Sequence, residues 1–163
     1  MVVVADTSPL TALLHLNKLH LISMLYGRVY IPVTVAKELN TLVQFGYSIS
    51  FLEEKQTYII QKATDELLVK NLCEYLDEGE AEAIALAKEL HADLLLIDER
   101  LGKQFAEAEA IPCKGVVGIL IEAKHQGLIQ LVKPLLHDLI HNLKFRLSEK
   151  VYNAALQKAG ELA

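Results

Sequence analysis

Short apolar runs that stop at an acidic residue constrain the fold of this chain more than any other feature. Residues 2–5 read Val-Val-Val-Ala and are followed by Asp6, and residues 94–97 read Leu-Leu-Leu-Ile and are followed by Asp98. A run that is apolar at every position is typical of a strand buried on both faces of a parallel sheet. The two runs therefore predict a parallel sheet that is covered by helices on both sides.

Helical patterns alternate with these runs along the chain. A hydroxyl residue followed by proline at 7–9 marks a helix start, strands are predicted at 29–31 and 58–60, and the stretch 44–57 has no clear pattern. Further helices are predicted at 80–90, 99–109, 116–125, 131–144 and 148–160, with a short strand at 111–114. This order predicts an α/β fold: one three-layer α/β/α domain over residues 1–163 with a mostly parallel central sheet. Residues 131–160 either pack on that domain or form an interface.

The charge balance argues against nucleic-acid binding through bulk electrostatics. The chain has 16 basic and 21 acidic residues, a net charge of −5, and the acidic excess lies in residues 1–102. A nucleic-acid role must then come from a local site. No apolar run reaches the roughly 18 residues of a membrane span, and residues 1–5 lack the basic start of a signal peptide. With Cys73 and Cys113 far apart, we predict a cytoplasmic protein with reduced core cysteines and no membrane partner.

Acidic residues interrupt the apolar pattern at positions that the topology brings together. Asp6 and Asp98 each follow a strand, and ligands of parallel α/β sheets bind at the carboxyl ends of the strands. Glu38 lies at the edge of the buried stripe of the next helix, and Glu80 starts the helix whose returning strand leads to Asp98. Carboxylates gathered at one point favour a hard divalent cation, Mg²⁺ or Mn²⁺, and such a site supports phosphodiester hydrolysis.

Other interpretations of the same acids stay open. Glu38 and Glu80 could be solvated helix faces or caps, and Asp98 could cap the helix that begins at Glu99. A phosphotransfer reaction with Asp6 as the nucleophile would need a second acid two residues later, where the chain has Ser8.

Four segments resemble the PIN domain family, in particular the subgroup called domain of unknown function 3368. They read VVVADTSPL, VAKEL, EGEAEAIALA and LLLIDERLGKQFA, and the resemblance extends over essentially the whole chain. It implies an α/β/α nuclease, most often a ribonuclease, and many members are toxins of bacterial and archaeal toxin–antitoxin pairs. It carries the catalytic and metal-binding acids onto Asp6, Glu38, Glu80 and Asp98, which would bind one or two Mg²⁺ or Mn²⁺ ions.

The resemblance also matches Thr7 and Ser8 to the hydroxyl residues that follow the first acid, and it has two departures. Glu80 stands where many members have aspartate, and Leu96 stands where a hydroxyl residue is common, two places before the fourth acid. A catalytically inactive PIN-like binding module is therefore the alternative to a nuclease.

Substrate and partners are predicted from basic and apolar residues near the site. Arg100 and Lys103 follow Asp98 by less than two turns and are expected to bind RNA phosphates, with Lys37 as a weaker candidate. The C-terminal third is rich in apolar residues. These either cover the sheet or form a symmetric homodimer interface, which we expect, or a surface for an antitoxin protein. They are Leu131, Val132, Leu135, Leu136, Leu139, Ile140, Leu143, Phe145, Leu147, Val151, Tyr152 and Leu156.

Overall fold

Five parallel strands form one sheet at the centre of the computed structural model, which describes residues 1–162. The strands are β1 (Val3–Ala5), β2 (Val29–Pro32), β3 (Tyr58–Gln61), β4 (Leu94–Leu96) and β5 (Cys113–Lys114). Their order across the sheet is β3-β2-β1-β4-β5, and every neighbouring pair is parallel. The predicted fold class, an α/β/α arrangement on a parallel sheet, is confirmed.

Helices cover both faces of this sheet. One face carries α1 (Thr7–His15), α2 (His20–Tyr26), α3 (Val33–Asn40), α7 (Val116–His125), α8 (Lys133–Asn142) and α9 (Glu149–Lys158). The other face carries α4 (Glu66–Leu72), α5 (Glu78–Glu89) and α6 (Arg100–Ala108). Two 3-10 helices, Thr41–Phe45 and Ser50–Glu53, overlap the stretch 44–57 that had no clear sequence pattern. No helix within residues 1–162 is long and apolar enough to cross a membrane.

The two cores explain why the strand sequences are apolar at every position. Val3 and Ala5 of β1 belong to one core, whereas Val4 between them belongs to the other. The alternation repeats in β4, where Leu94 and Leu96 face the first core and Leu95 faces the second. Successive side chains of a strand point to opposite faces, so a strand covered on both sides needs an unbroken apolar run.

The direction in which strands are added to the sheet reverses between β1 and β4. From β1 the chain adds β2 and β3 on one side and then returns to add β4 and β5 on the other. Ala5 pairs with Leu96, and the backbone N–H of Asp6 donates to the carbonyl of Leu96 at 2.9 Å. Such a reversal leaves a crevice at the carboxyl ends of the two strands, where doubly wound sheets bind ligands.

The start of α5 differs from the sequence prediction. The helix begins at Glu78 rather than Glu80, because the Asp77 carboxylate caps it by accepting the backbone N–H of Glu80 at 2.8 Å. Asp77 and Glu78 therefore belong to the start of α5 and not to the end of the preceding helix, which stops at Leu72. The expectation that both cysteines are core residues is wrong for Cys73, which is exposed just after the last turn of α4.

Most apolar residues of the C-terminal third pack into this chain's own core. Within that set, Leu131 and Val151 are exposed, at 53% and 48%, and the others are buried or half-buried. Glu161 ties this region together, because its carboxylate accepts the backbone N–H groups of Val132 and Lys133 and binds the Lys124 ammonium at 3.0 Å. The apolar area left for a partner on these helices is therefore small.

Candidate active site

Asp6 and Asp98 lie at the crevice between β1 and β4. Asp6 is 2% exposed, and Asp98 accepts the backbone N–H of Val116 through Oδ1 at 3.0 Å. One oxygen of each carboxylate, Asp6 Oδ1 and Asp98 Oδ2, is buried and has no hydrogen-bond partner among the described residues. An unpartnered buried carboxylate oxygen costs free energy, so its presence at two adjacent strand ends points to a missing ligand.

Glu38 reaches the crevice from α3. Its Oε2 accepts the hydroxyl of Thr7, and its Oε1 accepts the backbone N–H of Gly79 at 3.2 Å. A methyl group on Gly79 would lie 2.5 Å from both carboxylate oxygens, so glycine at the start of α5 makes room for this side chain. Glu38 is thus an oriented carboxylate and not a solvated helix face.

Glu80 enters the crevice from the first turn of α5. The side chain is 7% exposed, and a methyl group on Gly102 of α6 would lie 3.0 Å from its Oε2. On the side of Asp98, a methyl group on Gly115 would lie 2.5 Å from Oδ1 of Asp98 and 3.1 Å from the Lys103 ammonium. Small residues on α6 and before α7 therefore let the backbone approach these carboxylates closely.

The pKa values of all four carboxyl groups are raised, and burial is the largest cause for each of them. Burial and then the charges of Asp77, Glu38 and Asp98 raise the pKa of Asp6 to about 7, although the N–H of Thr7 opposes this shift. Burial and then Asp77 raise the pKa of Glu80 to about 9. Burial also raises the pKa of Asp98 to about 6, against the N–H of Val116 and the charge of Lys103, and raises that of Glu38. Burial and neighbouring acids thus disfavour the ionised forms of these carboxyl groups, and a nearby cation would favour them.

Two acids of the crevice were not among the predicted site residues. The charge of Asp77 raises the pKa of Asp6, Glu38 and Glu80, and Glu99 does the same for Glu80 and Asp98. An aspartate directly before the acidic start of an amphipathic helix is a capping signal, and that signal would have placed Asp77 at this end of α5.

Glu82 has a different role from its neighbour Glu80. Its carboxylate is 5% exposed and accepts the N–H of Thr34 at 2.7 Å and the N–H of Ala63 at 3.0 Å. Both oxygens are thus occupied by backbone donors from the start of α3 and the end of β3. Glu82 joins α5 to these elements and leaves no oxygen directed at the crevice.

The predicted substrate-binding residues lie at different distances from the acids. Thr7, Ser8 and Arg100 line an open cleft of about 560 Å³ that also contains Asp98. The remaining lining residues are Thr11, Glu99, Leu143, Lys144, Phe145 and Arg146. Lys103 lies against Asp98 and lowers its pKa, while Lys37 is exposed on α3 outside this cleft. The roles assigned to these residues stay predictions.

The donor set of the crevice fits a hard cation that keeps part of its water shell. Among residues 1–162, no three His, Cys, Asp or Glu side chains are already grouped to hold a metal ion. The two partnerless oxygens of Asp6 and Asp98 supply two ligands, and Mg²⁺ is commonly bound by one or two carboxylates and several waters. Oxygen-only donors suit Mg²⁺ or Mn²⁺ better than zinc.

The chain is an α/β/α protein with an acidic crevice at the switch point of its parallel sheet. The PIN domain model DUF3368 matches residues 2–161, and the chain belongs to this family. No curated protein matches the sequence. A solved structure, a PilT N-terminus domain protein of the hyperthermophilic archaeon Sulfolobus solfataricus P2, is similar with a TM-score of 0.54 at 19% identity. The similarity covers 76% of this chain and 93% of that protein, and it supports the fold alone.

Proposed function

We propose that this protein is a metal-dependent endoribonuclease whose site contains Asp6, Glu38, Glu80 and Asp98. The observation that carries the proposal is the pair of buried, partnerless carboxylate oxygens on Asp6 and Asp98, at the carboxyl ends of adjacent strands. Membership of the PIN domain family adds support for nuclease chemistry.

The four acids have separable tasks under this proposal. Asp6 and Asp98 would hold Mg²⁺ or Mn²⁺ through their free oxygens, with Asp98 fixed by the N–H of Val116. The bound ion would supply a more acidic water and offset negative charge on the phosphate. Glu38 is held in place by Thr7 and Gly79, from where it can orient a water. Glu80, with a pKa of about 9, holds a proton at neutral pH and so limits the repulsion within the cluster.

Arg100 is the proposed phosphate-binding residue, and Lys103 the proposed neutralising partner of Asp98. Arg100 is exposed in the cleft at the start of α6, where a strand of RNA can reach it. Lys103 lies one turn further and faces Asp98, where its charge favours the ionised carboxylate. RNA is the proposed substrate because Arg100 and Lys103 place cations for its phosphates beside the acids. A bound divalent cation would further reduce the repulsion between these acids and the phosphates.

Cleavage of a labelled single-stranded RNA with and without Mg²⁺ or Mn²⁺ tests the proposal. The wild type is expected to cut internally, chelation is expected to stop the reaction, and Asp6→Asn is expected to lower the rate by at least about 100-fold. Asp6→Asn should fold, because the amide replaces a carboxylate that burial already disfavours in its charged form. A wild type that cuts no RNA with either metal would overturn the nuclease and favour the binding module.

A hydrophobic side chain supports that second candidate. Leu96 is fully buried two residues before Asp98, at the position where the family resemblance expects a hydroxyl group, so no side-chain hydroxyl is available there to hold a metal-bound water. A PIN-like module without catalysis would bind RNA or a protein partner at the same cleft.

The proposed cellular role is that of the toxin of a toxin–antitoxin pair. The support is the family resemblance, together with an open acidic crevice that a partner protein could cover. Expression of the wild type is expected to arrest growth, whereas Asp6→Asn at equal protein level is expected not to. Equal growth in both strains would contradict the toxin role.

A further inference from the structure

The segment between α8 and α9 forms the wall of the cleft that faces α1 and α6. Residues 143–146 line this cleft opposite Thr7, Ser8 and Arg100, with Asp98 also in its lining. None of these C-terminal residues was a candidate for substrate binding in the sequence, where the region was expected to be an apolar interface.

Burial alternates along residues 143–147. Leu143, Phe145 and Leu147 are half-buried and pack against the first core, whereas Lys144 and Arg146 between them are exposed. The apolar residues thereby anchor the segment and leave its two cations on the outside. The end of α8 is closed by a hydrogen bond of 2.9 Å from the N–H of Phe145 to the carbonyl of Leu139.

The position of this wall relative to the acids is fixed by α1 and α8. His15 at the end of α1 bonds to Asp138 of α8 through Nε2 at 2.8 Å, and its Nδ1 contacts the hydroxyl of Tyr47 at 2.9 Å. The same α1 begins directly after Asp6. The contact therefore holds the segment that follows α8 at a set distance from the crevice.

The cations of the cleft are free of acidic partners. Within residues 1–162, Arg100, Lys144 and Arg146 take part in no salt bridge, whereas Lys114 and Lys124 are each paired with a glutamate. Unpaired cations along a cleft are what single-stranded nucleic-acid sites use to hold the phosphates of the strand.

We infer that Lys144 and Arg146 bind the single-stranded RNA substrate and lead it across the cleft to the acidic crevice, with Phe145 anchoring the segment between them. This inference rests on the proposed ribonuclease function and names the path of its substrate. Phosphates would lie on Lys144 and Arg146 on one wall and on Arg100 on the other. The basic C-terminal part of an otherwise acidic chain thus supplies the local positive charge that RNA binding requires.

The backbone of Lys144 offers a substitution that separates charge from folding. Its φ of 56° lies in the left-handed region, which glycine adopts at lower cost than a residue with a Cβ atom. Lys144→Gly therefore removes the ammonium while favouring the native backbone, and Tm should stay the same or rise. Arg146→Ala is the second variant.

Fluorescence anisotropy with a labelled 12-nucleotide single-stranded RNA provides the test. All proteins carry Asp6→Asn and are kept without divalent metal, so that the strand stays intact, and affinity is measured across a NaCl series. The double variant Lys144→Gly with Arg146→Ala is expected to lower the slope of log K against log[salt] by about 1.4, since each phosphate contact on single strands contributes about 0.7. Affinity at 0.1 M salt should then fall by roughly 25-fold.

Lys158→Ala is the matched control. Lys158 is an exposed lysine at the end of α9, and its carbonyl accepts His125 at the far end of α7, one helix length from the crevice. This variant should leave the salt slope unchanged. A double variant with the same slope as Lys158→Ala would overturn the inference. If the slope falls as expected but the wild type cuts no RNA, the cleft is a strand-binding site and the proposed nuclease fails alone.

Discussion

At the scale of single residues, the crevice contains carboxylates that the folded chain alone does not satisfy. Elsewhere the structure occupies its buried acids: Glu82 accepts two backbone N–H groups, and Glu161 accepts two and a lysine. Asp6 and Asp98 keep a free buried oxygen each. Hydrogen bonding therefore distinguishes two kinds of acid: Glu82 and Glu161 stabilise the fold, whereas Asp6 and Asp98 each have an oxygen that can bind a ligand.

The raised pKa values predict how the metal-free protein responds to pH. Asp6 has a pKa of about 7 in the folded state against 3.8 as a free side chain, and Glu80 has one of about 9. Between its unfolded-state and its folded-state pKa, each of these groups binds more protons in the folded protein than in the unfolded chain. Their contribution to the free energy of unfolding is therefore complete below about pH 4 and is lost as pH rises through the folded-state pKa. From pH 5 to pH 8 in chelator we expect Tm to fall, with about 3 kcal/mol of the lost stability coming from Asp6.

Asp6→Asn is the control for this pH profile, because it removes the contribution of Asp6 and leaves that of Glu80. The variant should show a flatter decline of Tm, and added Mn²⁺ should raise the Tm of the wild type at pH 8 but not that of the variant. A wild-type Tm that rises between pH 5 and pH 8 in chelator would contradict the raised pKa values.

The sequence allowed the positions of Asp6 and Asp98 to be predicted, because each interrupts an apolar run, but not roles that depend on hydrogen-bond partners; the catalytic roles stay predictions. Asp6 and Asp98 stand out in the sequence because each is a charged residue directly after a run that is apolar at every position. Glu80 and Glu82, two residues apart on one helix, look alike in sequence. Only the folded structure shows that the oxygens of Glu82 are taken by Thr34 and Ala63.

At the scale of secondary-structure elements, the first turn of α5 organises the crevice. It contains Gly79, whose N–H binds Glu38 and whose lack of a side chain leaves room for that carboxylate. Gly79→Ala should displace the flexible end of Glu38, since the new methyl group would lie 2.5 Å from both oxygens. Alanine also favours the helix by up to about 1 kcal/mol. We therefore expect unchanged or higher Tm together with at least a roughly tenfold loss of RNA cleavage rate.

An unchanged or higher Tm together with a lower cleavage rate would not result from general damage to the fold. Thermal melting and RNA cleavage are measured on the same preparation of Gly79→Ala. Wild-type cleavage in the variant would show that the position of Glu38 does not matter to the reaction, and a strongly lowered Tm would show that the contact is structural.

Glu82 is expected to behave in the opposite way. Glu82→Ala leaves the N–H groups of Thr34 and Ala63 without an acceptor and should lower the free energy of unfolding by about 3 kcal/mol. For a chain of this length Tm should fall by about 10 °C. Glu78→Ala, an exposed acid on the same helix, should change stability by less than about 1 kcal/mol. Equal urea midpoints for the two variants would contradict the structural role of Glu82.

The apolar periodicity of the sequence predicted where most helices and strands lie, but it did not predict a helix start that is set by an acidic capping residue. The helices and strands were placed within a few residues, and one difference at the site is α5, where Asp77 caps a helix that starts two residues earlier than predicted. The stretch 44–57 shows no helical pattern because the two 3-10 helices that overlap it are short. Together they bury one residue, Phe51, so the sequence has no apolar stripe there.

At the scale of the whole molecule, topology puts the acids and the cations on one side of the sheet. The four carboxylates come from β1, α3, α5 and the end of β4, and the cleft adds residues that follow α8. Sequence order predicted the parallel sheet and its acidic edge. It could not predict the second wall of the cleft, because that wall depends on how α8 packs against α1 through His15 and Asp138.

The symmetric homodimer stays a prediction. In the structure, few apolar residues of the C-terminal third are exposed and could form its interface. Leu131 and Val151 are the exposed members of the apolar set in the C-terminal third. Light scattering at micromolar concentrations should give the mass of a dimer, and Leu131→Glu combined with Val151→Glu should give that of a monomer. A monomeric wild type would contradict the dimer and leave the nuclease proposal in place.

The central claim is that Asp6 and Asp98 together form a divalent-cation site, and calorimetric titration with Mn²⁺ tests it most directly. The wild type is expected to bind Mn²⁺, and Asp6→Asn and Asp98→Asn are each expected to bind it at least about tenfold more weakly. Asp93→Asn is the matched control, because Asp93 precedes the same strand β4 at its opposite end, where it accepts the N–H of Val2 at 2.7 Å. This variant should bind Mn²⁺ like the wild type. Equal Mn²⁺ affinity in all four proteins, or no binding by the wild type, would contradict the account.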